Sequence, residues 1–397
     1  MLAKPLANGD VAVTLFNEGS TAAMMSTSVN AIGMQASSRV YTLTDLWSRK
    51  VTETGGRISA FVAPHQTVMY RVAAPHDGRE LAAALASPPA VSLAVTTASS
   101  PIPSGGKTSL TVSLTNDGVT PVSVTSGPGL TAPAGWTVSP GTGPGSPGVV
   151  GPGGTDSASF TVTPPQPAQP IDSATFTGTA AYRGVSGPQA PSAVLTEPFV
   201  SPVTSPYRVA DDTQGPPPAV FGELSGDFAI SAAGSGITPA GRRAATDQYA
   251  AIYQPGGADT SAAATVQVTG IASGRSPQAG LIMRNDATGS GPEGVVLYLN
   301  GSGQVVMSWA ASGGTTVDTT HTATGTPGTG VWLHLVRTGP NTYDGSYSTT
   351  SGSGPWTLVA SVTTGNAAAS QDAGLFASSG AGYAPSTAAF SGFTVTG

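Results

Sequence analysis

The sequence predicts an all-β protein built from three β-sandwich domains. Apolar and polar residues alternate over short runs, as in Val11–Asn17 and Phe228–Ala232. Glycine and proline interrupt these runs at intervals of about 8–12 residues, and the chain carries 53 glycines and 34 prolines. No alternation of strands with helices is visible. At 397 residues, the chain has room for about two to four such domains.

The composition excludes several classes of function. Only 9% of the residues are charged, against roughly 25% in an average globular protein. The net charge is −6 and no basic cluster exceeds Arg242-Arg243, which argues against nucleic-acid binding. Cysteine is absent, which excludes thiol catalysis, disulfides and cysteine-ligated metals. We expect no cofactor and no bound metal.

The sequence predicts neither a membrane span nor a signal peptide at its start. No apolar stretch approaches the ~20 residues of a membrane span, and the residues after Met1 lack the charged and apolar regions of a signal peptide. A low-charge chain rich in serine, threonine and glycine, with proline-rich linkers, is nevertheless typical of secreted polysaccharide-active proteins. We therefore expect a secreted parent protein and no membrane partner.

Residues 1–74 are predicted to form the first domain. Asn8-Gly9 suits a type I′ hairpin turn in the opening run Leu2–Asn17, because both turn positions need a positive φ. Further strands are predicted from short alternating runs at Ala22–Thr27, Val40–Asp45, Arg57–Val62 and Thr67–Val72.

Three motifs of this domain, in order, carry a family resemblance. They are Leu2–Asn17, the Tyr-x-x-x-Asp-Leu-Trp element at Tyr41–Trp47, and the closing strand Val62–Val72. The set resembles the C-terminal β-domain of glycoside hydrolase family 27, the α-galactosidases. The resemblance implies an antiparallel Greek-key domain that packs against a catalytic (β/α)₈ barrel.

Residues 75–88 are predicted to be a linker, 89–184 a second domain, and 185–206 a semi-rigid linker rich in proline and serine. The second domain contains Pro133-Ala-Gly-Trp136, with Val112–Gly118 before it and Val162–Pro165 after it. This order of features resembles the NEW3 module of α-galactosidases, and the resemblance implies an immunoglobulin-like sandwich. Trp136 is expected to be structural.

Residues 207–397 are predicted to be a jelly roll of eleven or so strands. Ala279–Asp286 and Trp332–Gly339 resemble strands of concanavalin A-like modules. Tyr347-Ser348 and Trp356 resemble a further Tyr-x-Ser-x-Asp-Gly-x-x-Trp element, although Thr-Thr-Ser-Gly-Ser-Gly stands where that pattern has Asp-Gly. The resemblance implies this fold more strongly than any ligand.

The family's chemistry is retaining glycoside hydrolysis, which needs two carboxylates about 5–5.5 Å apart. The resemblance implies two aspartates on the barrel, and no stretch of this chain matches them. We therefore assign no catalytic residue and expect no hydrolysis by this chain alone. Asp45 is predicted to serve a turn, and His334 to face a sheet surface. Asp211-Asp212 is either solvated at the surface or part of a structural calcium site.

Sugar binding is the remaining candidate chemistry, since a pyranose needs an aromatic face and planar polar groups. In the third domain, Leu281, Met283, Val305 and Met307 are predicted to be core. One concave face is then predicted to carry a carbohydrate site of Arg284, Asn285, Tyr298, Asn300 and Trp309. Trp332 and Trp356 are predicted to be core residues.

We therefore expect the non-catalytic C-terminal fragment of a secreted α-galactosidase-like glycoside hydrolase. Its partners are the missing catalytic barrel and a galactose-containing poly- or oligosaccharide. One alternative is a stand-alone extracellular adhesion or structural protein made of β-modules. Another is that the third domain is itself a lyase or glucanase, which requires a carboxylate pair that the strands do not supply, since Glu293 lies in a Gly-Pro-Glu-Gly turn.

Overall fold

The computed structural model confirms an all-β protein: in the residues that it describes, every regular element is a β-strand. Described are residues 1–397 except 8, 35–39, 74–90, 118–120, 142, 144–147, 185–186, 214, 216, 238–246, 272–275, 289–293 and 312–316. The chain divides into two compact units. The first comprises Met1–Pro165 and Ser173–Phe199, and the second comprises Gln166–Asp172 and Val200–Gly397.

The first module, in the first unit, is a small antiparallel sandwich. A five-stranded sheet in the order β1-β2-β7-β4-β5 faces the two-stranded sheet β3-β6. Alternation along β2 buries Val11, Val13 and Leu15 against residues of β6 such as Ile58. The strands are β1 Leu2–Pro5, β2 Val11–Phe16, β3 Ala23–Ser28, β4 Tyr41–Asp45, β5 Val51–Thr54, β6 Arg57–Val62 and β7 Thr67–Ala73.

The second module, also in the first unit, is a sandwich of a four-stranded sheet, β12-β14-β10-β8, and a larger sheet, β13-β11-β15-β17-β9, to which β16 adds at β15. Its core contains Leu110, Val112 and Phe176, and Trp136 packs against it as predicted. The strands are β8 Val91–Thr97, β9 Ile102–Pro103, β10 Thr108–Asn116, β11 Val122–Thr131, β12 Thr137–Pro140, β13 Val149–Val150, β14 Thr155–Thr163, β15 Ile171–Gly184, β16 Gly187–Gln189 and β17 Ser192–Val200.

The end of the second module differs from the sequence prediction. The predicted linker 185–206 contains β17, which lies between β15 and β9 in the larger sheet. Leu195 and Phe199 of this strand are buried in the core, and Phe199 packs edge-on against Trp136 at 5.3 Å. In the sequence, the prolines and serines around this strand make its apolar alternation hard to recognise. The other predicted linker, 75–88, lies outside the described residues.

The third module, in the second unit, is a sandwich of two seven-stranded antiparallel sheets. Sheet A has the order β18-β21-β30-β23-β24-β25-β26, and sheet B has the order β19-β20-β31-β22-β27-β28-β29. The strands are β18 Arg208–Asp211, β19 Val220–Leu224, β20 Asp227–Gly234, β21 Ala250–Ala258, β22 Ala263–Ile271, β23 Gln278–Arg284, β24 Gly294–Asn300, β25 Val305–Trp309, β26 Thr319–Thr322, β27 Val331–Arg337, β28 Thr342–Ser348, β29 Thr357–Thr363, β30 Gln371–Ser378 and β31 Ala381–Thr396.

The core of the third module lies between these two sheets. Leu281 and Met283 of sheet A and Leu333 and Leu335 of sheet B belong to it and are fully buried. The predicted core positions of β23 and β25 are thereby confirmed. Because side chains alternate along each strand, the residues between these positions lie on the outer faces of the two sheets.

Gly178 sets the sheet spacing in the second module, and Gly178→Ala should destabilise it. A Cβ added at Gly178 in β15 would lie 2.5 Å from Cγ2 of Val95 and 3.0 Å from Cγ1 of Val112. Overpacking of this kind costs about 1–3 kcal/mol, measurable as a lower urea midpoint of the first unit. The matched control is Gly151→Ala, because a Cβ there meets no heavy atom within 4 Å. Equal midpoints in the two variants would contradict the expectation.

Candidate functional site

The structure divides the predicted carbohydrate residues between two faces of sheet A. Arg284 and Tyr298 lie on the outer face, whereas Trp309 pairs with Val295 and packs on the core. Directly paired residues of an antiparallel ladder share a face, so Trp309 faces away from the other two. The prediction of one shared aromatic and polar face is wrong for Trp309.

The two asparagines of the predicted site form hydrogen bonds within the module. Asn285 Oδ1 accepts hydrogen bonds from Ala368 N and Gln371 Nε2, each at 2.8 Å. Asn300 Oδ1 accepts from Ser302 N at 2.9 Å and Gln304 N at 3.0 Å, which closes the turn between β24 and β25. Since Asn300 pairs with Gln278, at the opposite end of β23 from Arg284, the two asparagines lie at opposite ends of this ladder.

An apolar cluster covers the part of the outer face of sheet A that surrounds Tyr298. Its ring packs edge-on against Phe376 at 5.8 Å, and Ile237 and Val317 complete the cover. Tyr298 is 6% exposed. An aromatic platform needs an open face, and the described residues packed around Tyr298 leave its ring covered.

Arg284 lies in a buried polar group at the edge of that cluster. Its guanidinium forms an ion pair with Asp247 and donates a hydrogen bond to the Tyr249 hydroxyl at 3.1 Å. Burial alone would lower the pKa of Arg284, but Tyr249 and Asp247 outweigh it, so the pKa is raised and the side chain stays charged. With its donors engaged inside the protein, Arg284 has a structural role.

The outer face of sheet B carries a stacked pair of rings, His334 and Trp356. His334 of β27 alternates with core residues Leu333 and Leu335 and therefore points outward. Trp356, just before β29, stacks on its imidazole with ring centroids 4.6 Å apart and planes at 17°. Thr265 Oγ1 is hydrogen-bonded to His334 Nδ1 at 2.8 Å. Burial lowers the pKa of His334, so the stack is neutral at pH 7.

Trp356 remains partly exposed, and its surroundings are apolar or hydroxyl-bearing. Leu358, two residues further, is 58% exposed. The preceding turn contains Ser351 and Ser353, whose hydroxyls lie 3.1 Å apart. Gly354, with φ +94°, lies against the indole, because a Cβ there would be 3.1 Å from Cδ1 of Trp356. A partly exposed indole beside uncharged hydroxyls suits the apolar face and hydroxyl groups of a sugar.

The prediction that Trp332 and Trp356 are core residues is wrong. Trp332 alternates with buried Val331 and Leu333, so it lies on the outer face, and the glycines at 352 and 392 lie against its ring. The run Val331–Arg337 carries the signal, because Val, Leu and Leu occupy alternate positions and Trp and His stand between them. The alternation of the strand decides the face here, and the size of an aromatic side chain does not.

The two carboxylate predictions outside this site have separate outcomes. Asp45 Oδ1 accepts from Trp47 N at 2.8 Å and Ser48 N at 2.9 Å, so its predicted turn role is confirmed. Asp211 Oδ1 accepts from the Thr213 hydroxyl at 2.6 Å, and its Oδ2 accepts from Ala219 N at 2.7 Å. Asp211 therefore binds Thr213 and Ala219 after β18, and its predicted calcium site stays a prediction.

Comparisons with known protein families match the first two modules. Residues 1–72 match the family model of the α-galactosidase C-terminal β-sandwich domain. Residues 102–183 match that of the NPCBM-associated NEW3 domain of α-galactosidase. The chain carries two α-galactosidase-associated modules. The sequence resemblance is thereby confirmed over these residues, while the concanavalin A-like character of the third module stays a prediction.

A curated relative and solved structures give more limited likenesses. α-Galactosidase A of Aspergillus niger is 32% identical over 75 residues, which is 19% of this chain and 14% of that protein. The secreted serine protease VesC of Vibrio cholerae aligns at 8% identity over 86% of this chain and 58% of its own, with a TM-score of 0.24. A DUF4785 family protein of Legionella pneumophila aligns at 9% over 92% and 93%, with a TM-score of 0.23. Such low scores carry no argument about fold or function. In the described part of the chain, no helix is long and apolar enough to cross a membrane.

Proposed function

We propose that this chain is the non-catalytic accessory region of a secreted α-galactosidase-like glycoside hydrolase. The observation that carries the proposal is the succession of two α-galactosidase-associated modules, each with its own core, in one chain. The first module supports a catalytic (β/α)₈ barrel, the second separates it from the third, and the third attaches the enzyme to galactose-containing polysaccharide.

Exposed apolar side chains support a protein partner for the first module. Trp47, in the Asp-Leu-Trp element, is 67% exposed, and Leu2 and Val51 are also largely exposed. Trp47 lies in the connection between β4 and β5, and Val51 begins β5, so both lie at one edge of the five-stranded sheet, whereas Leu2 is on β1 at the opposite edge. The two apolar residues at the β5 edge favour an interaction surface there. A catalytic barrel is the partner that the family resemblance implies.

The outer face of sheet B supports polysaccharide attachment by the third module. Trp356 offers an indole already held flat by His334, so little conformational entropy is lost on binding. The nearest hydroxyl-bearing residues are neutral, which favours a neutral polymer over an ionic one.

The test of the non-catalytic role is an α-galactoside hydrolysis assay on the full chain, with a purified α-galactosidase as the positive control. We expect no turnover above the uncatalysed rate. Turnover that survives repeated purification would overturn this part of the proposal. Restored or increased activity of a separately expressed catalytic barrel on adding the chain would support the barrel-supporting role.

Trp356→Ala should abolish retention of the chain on galactomannan. Loss of an aromatic anchor costs about 2 kcal/mol or more, which makes the interaction at least about thirtyfold weaker and should remove measurable retention in affinity electrophoresis. Trp47→Ala is the matched control, because it removes an exposed tryptophan from another module. Retention unchanged in Trp356→Ala, or lost equally in both variants, would argue against this face.

A further inference from the structure

A cleft of about 740 Å³ lies within the first compact unit, between the first and second modules. Asp45 and Tyr70 line it from the first module, and Asp117 and Tyr182 line it from the second. Small-molecule sites typically measure about 300–1,000 Å³ and occur preferentially at domain interfaces. The volume of this cleft falls within that range, and the cleft lies between two modules.

Polar contacts that link the two modules hold the cleft in shape. Ser59 Oγ of β6 donates a hydrogen bond to Asp117 Oδ1 at 2.5 Å. Arg57 Nη1, also on β6, donates to the Gly153 carbonyl at 3.4 Å. Burial raises the pKa of Asp117, while the Ser59 and Ser92 hydroxyls and Arg57 oppose that rise. Asp117 is thus positioned before any ligand arrives, which reduces the entropic cost of binding.

Aromatic and hydroxyl groups lie beside these carboxylates. Phe61 and Tyr70 line the cleft from the first module, and Tyr182, which is nearly buried in the core of the second module, lines it from the other side. Burial raises the pKa of Tyr70, and the negative charges of Asp45 and Asp117 raise it further. The Tyr70 hydroxyl is therefore a neutral donor and acceptor close to two carboxylates.

The charges lining the cleft are mixed and nearly balanced. Asp45, Glu53 and Asp117 supply acceptors, whereas Lys50 and Arg57 supply donors. A simple anion would be repelled by the carboxylates, and a simple cation would be repelled by Arg57 and Lys50. A neutral polyhydroxylated molecule has donors and acceptors for both sets, and the C–H face of its ring suits the aromatic side chains.

We propose that this cleft binds a neutral mono- or oligosaccharide, with Asp117 accepting from sugar hydroxyls, Tyr70 forming a further hydrogen bond, and an aromatic ring contacting the sugar face. The site is separate from the polysaccharide-binding face proposed for the third module and does not depend on it. It gives the two α-galactosidase-associated modules a ligand of their own.

The test is calorimetric titration of the full chain with galactose and with melibiose, an α-linked galactosyl disaccharide. Inorganic phosphate and Ca²⁺ serve as charged probes. We expect binding of at least one saccharide and of neither ion. Asp117→Asn and Tyr70→Phe should each weaken saccharide binding about tenfold, because the first replaces a charged acceptor by a neutral one and the second removes the hydroxyl.

Two further variants show whether the weakening is specific to the cleft. Glu18→Gln neutralises an exposed carboxylate of the first module outside the cleft and should bind as the unaltered chain does. Trp356→Ala should lose galactomannan retention but keep binding of the soluble sugars, which separates a failure of this proposal from a failure of the proposed function. Thermal melts verify folding, and Tyr70→Phe keeps the test decisive if Asp117→Asn does not fold.

Three results would overturn the proposal. One is that none of the saccharides binds the full chain. Another is saccharide binding that is unchanged in both Asp117→Asn and Tyr70→Phe. The third is binding of phosphate or Ca²⁺ in place of sugar, which would assign the cleft to an ion.

Discussion

Arg337→Met is expected to lower the free energy of unfolding of the third module by about 3–5 kcal/mol. Arg337 is 1% exposed and bonds to main-chain carbonyls. Its guanidinium donates to the carbonyl oxygens of Pro340 at 2.5 Å, Ala368 at 2.6 Å, and Ala258 and Ala369 at 3.3 Å each. Methionine fills a similar volume but leaves these buried acceptors without their donor, and hydrogen bonds to charged groups are the stronger ones.

The measurement is urea unfolding monitored by amide hydrogen exchange, so that the loss of amide protection is assigned to each compact unit separately. We expect only the second unit to unfold at lower urea. The urea midpoint of Arg337→Lys should lie between those of the unaltered chain and Arg337→Met, because the lysine ammonium keeps the positive charge but lacks the planar arrangement of guanidinium donors. The matched control is Arg208→Met, since Arg208 is an exposed arginine of the same module. A normal midpoint for Arg337→Met would mean that the carbonyls find other donors.

Arg284→Met is expected to cost about 3–5 kcal/mol as well, for a different reason. It leaves the Asp247 carboxylate buried without its ion-pair partner. The double variant Arg284→Met/Asp247→Leu should recover most of the loss, because replacing a whole buried pair by apolar residues is often close to neutral. Differential scanning calorimetry of the two variants measures both effects. A double variant as unstable as the single one would contradict this expectation, because the loss would then not arise from an unpaired buried charge.

The pH dependence of Arg284→Met follows from the pKa of Asp247. Burial raises the pKa of this carboxyl in the folded protein, and in the variant Arg284 no longer opposes that rise. A raised folded-state pKa means that the folded state binds a proton more tightly than the unfolded state. Stability is then lost as pH rises through the folded pKa. The loss of unfolding free energy in Arg284→Met should therefore become smaller as the pH is lowered from 7. A loss that does not change with pH would mean that it does not arise from the unpaired Asp247 carboxylate.

The strand pattern of the first module follows closely from sequence. The strand Arg57–Val62 has the predicted bounds, and the strands at Val11 and Thr67 begin at the predicted residues. Local alternation and turn chemistry suffice for this, because each strand buries one face on a nearby core. The strand Val51–Thr54, at the edge of its sheet, is absent from the prediction. Edge strands are short and half-exposed, so their alternation is weak.

The candidate sites are harder to predict. Alternation correctly places Arg284 and Tyr298 on the face opposite Leu281 and Met283. It does not reveal that apolar residues from distant positions close that face. Nor does it show that Trp356, distant in sequence from His334, stacks upon it. The cleft beside Asp117 combines residues from two modules, which no local pattern reports.

The sequence by itself determined the all-β class, the family of the first two modules and the residues that share a face of most strands. These properties depend on the two-residue period of a strand and on motifs contiguous in the chain. The tertiary structure alone decided which faces are covered, where buried arginines find their acceptors, and which aromatic rings stay accessible. Those outcomes depend on contacts between residues far apart in sequence, and each strand carries the same alternation whether its outer face is open or covered.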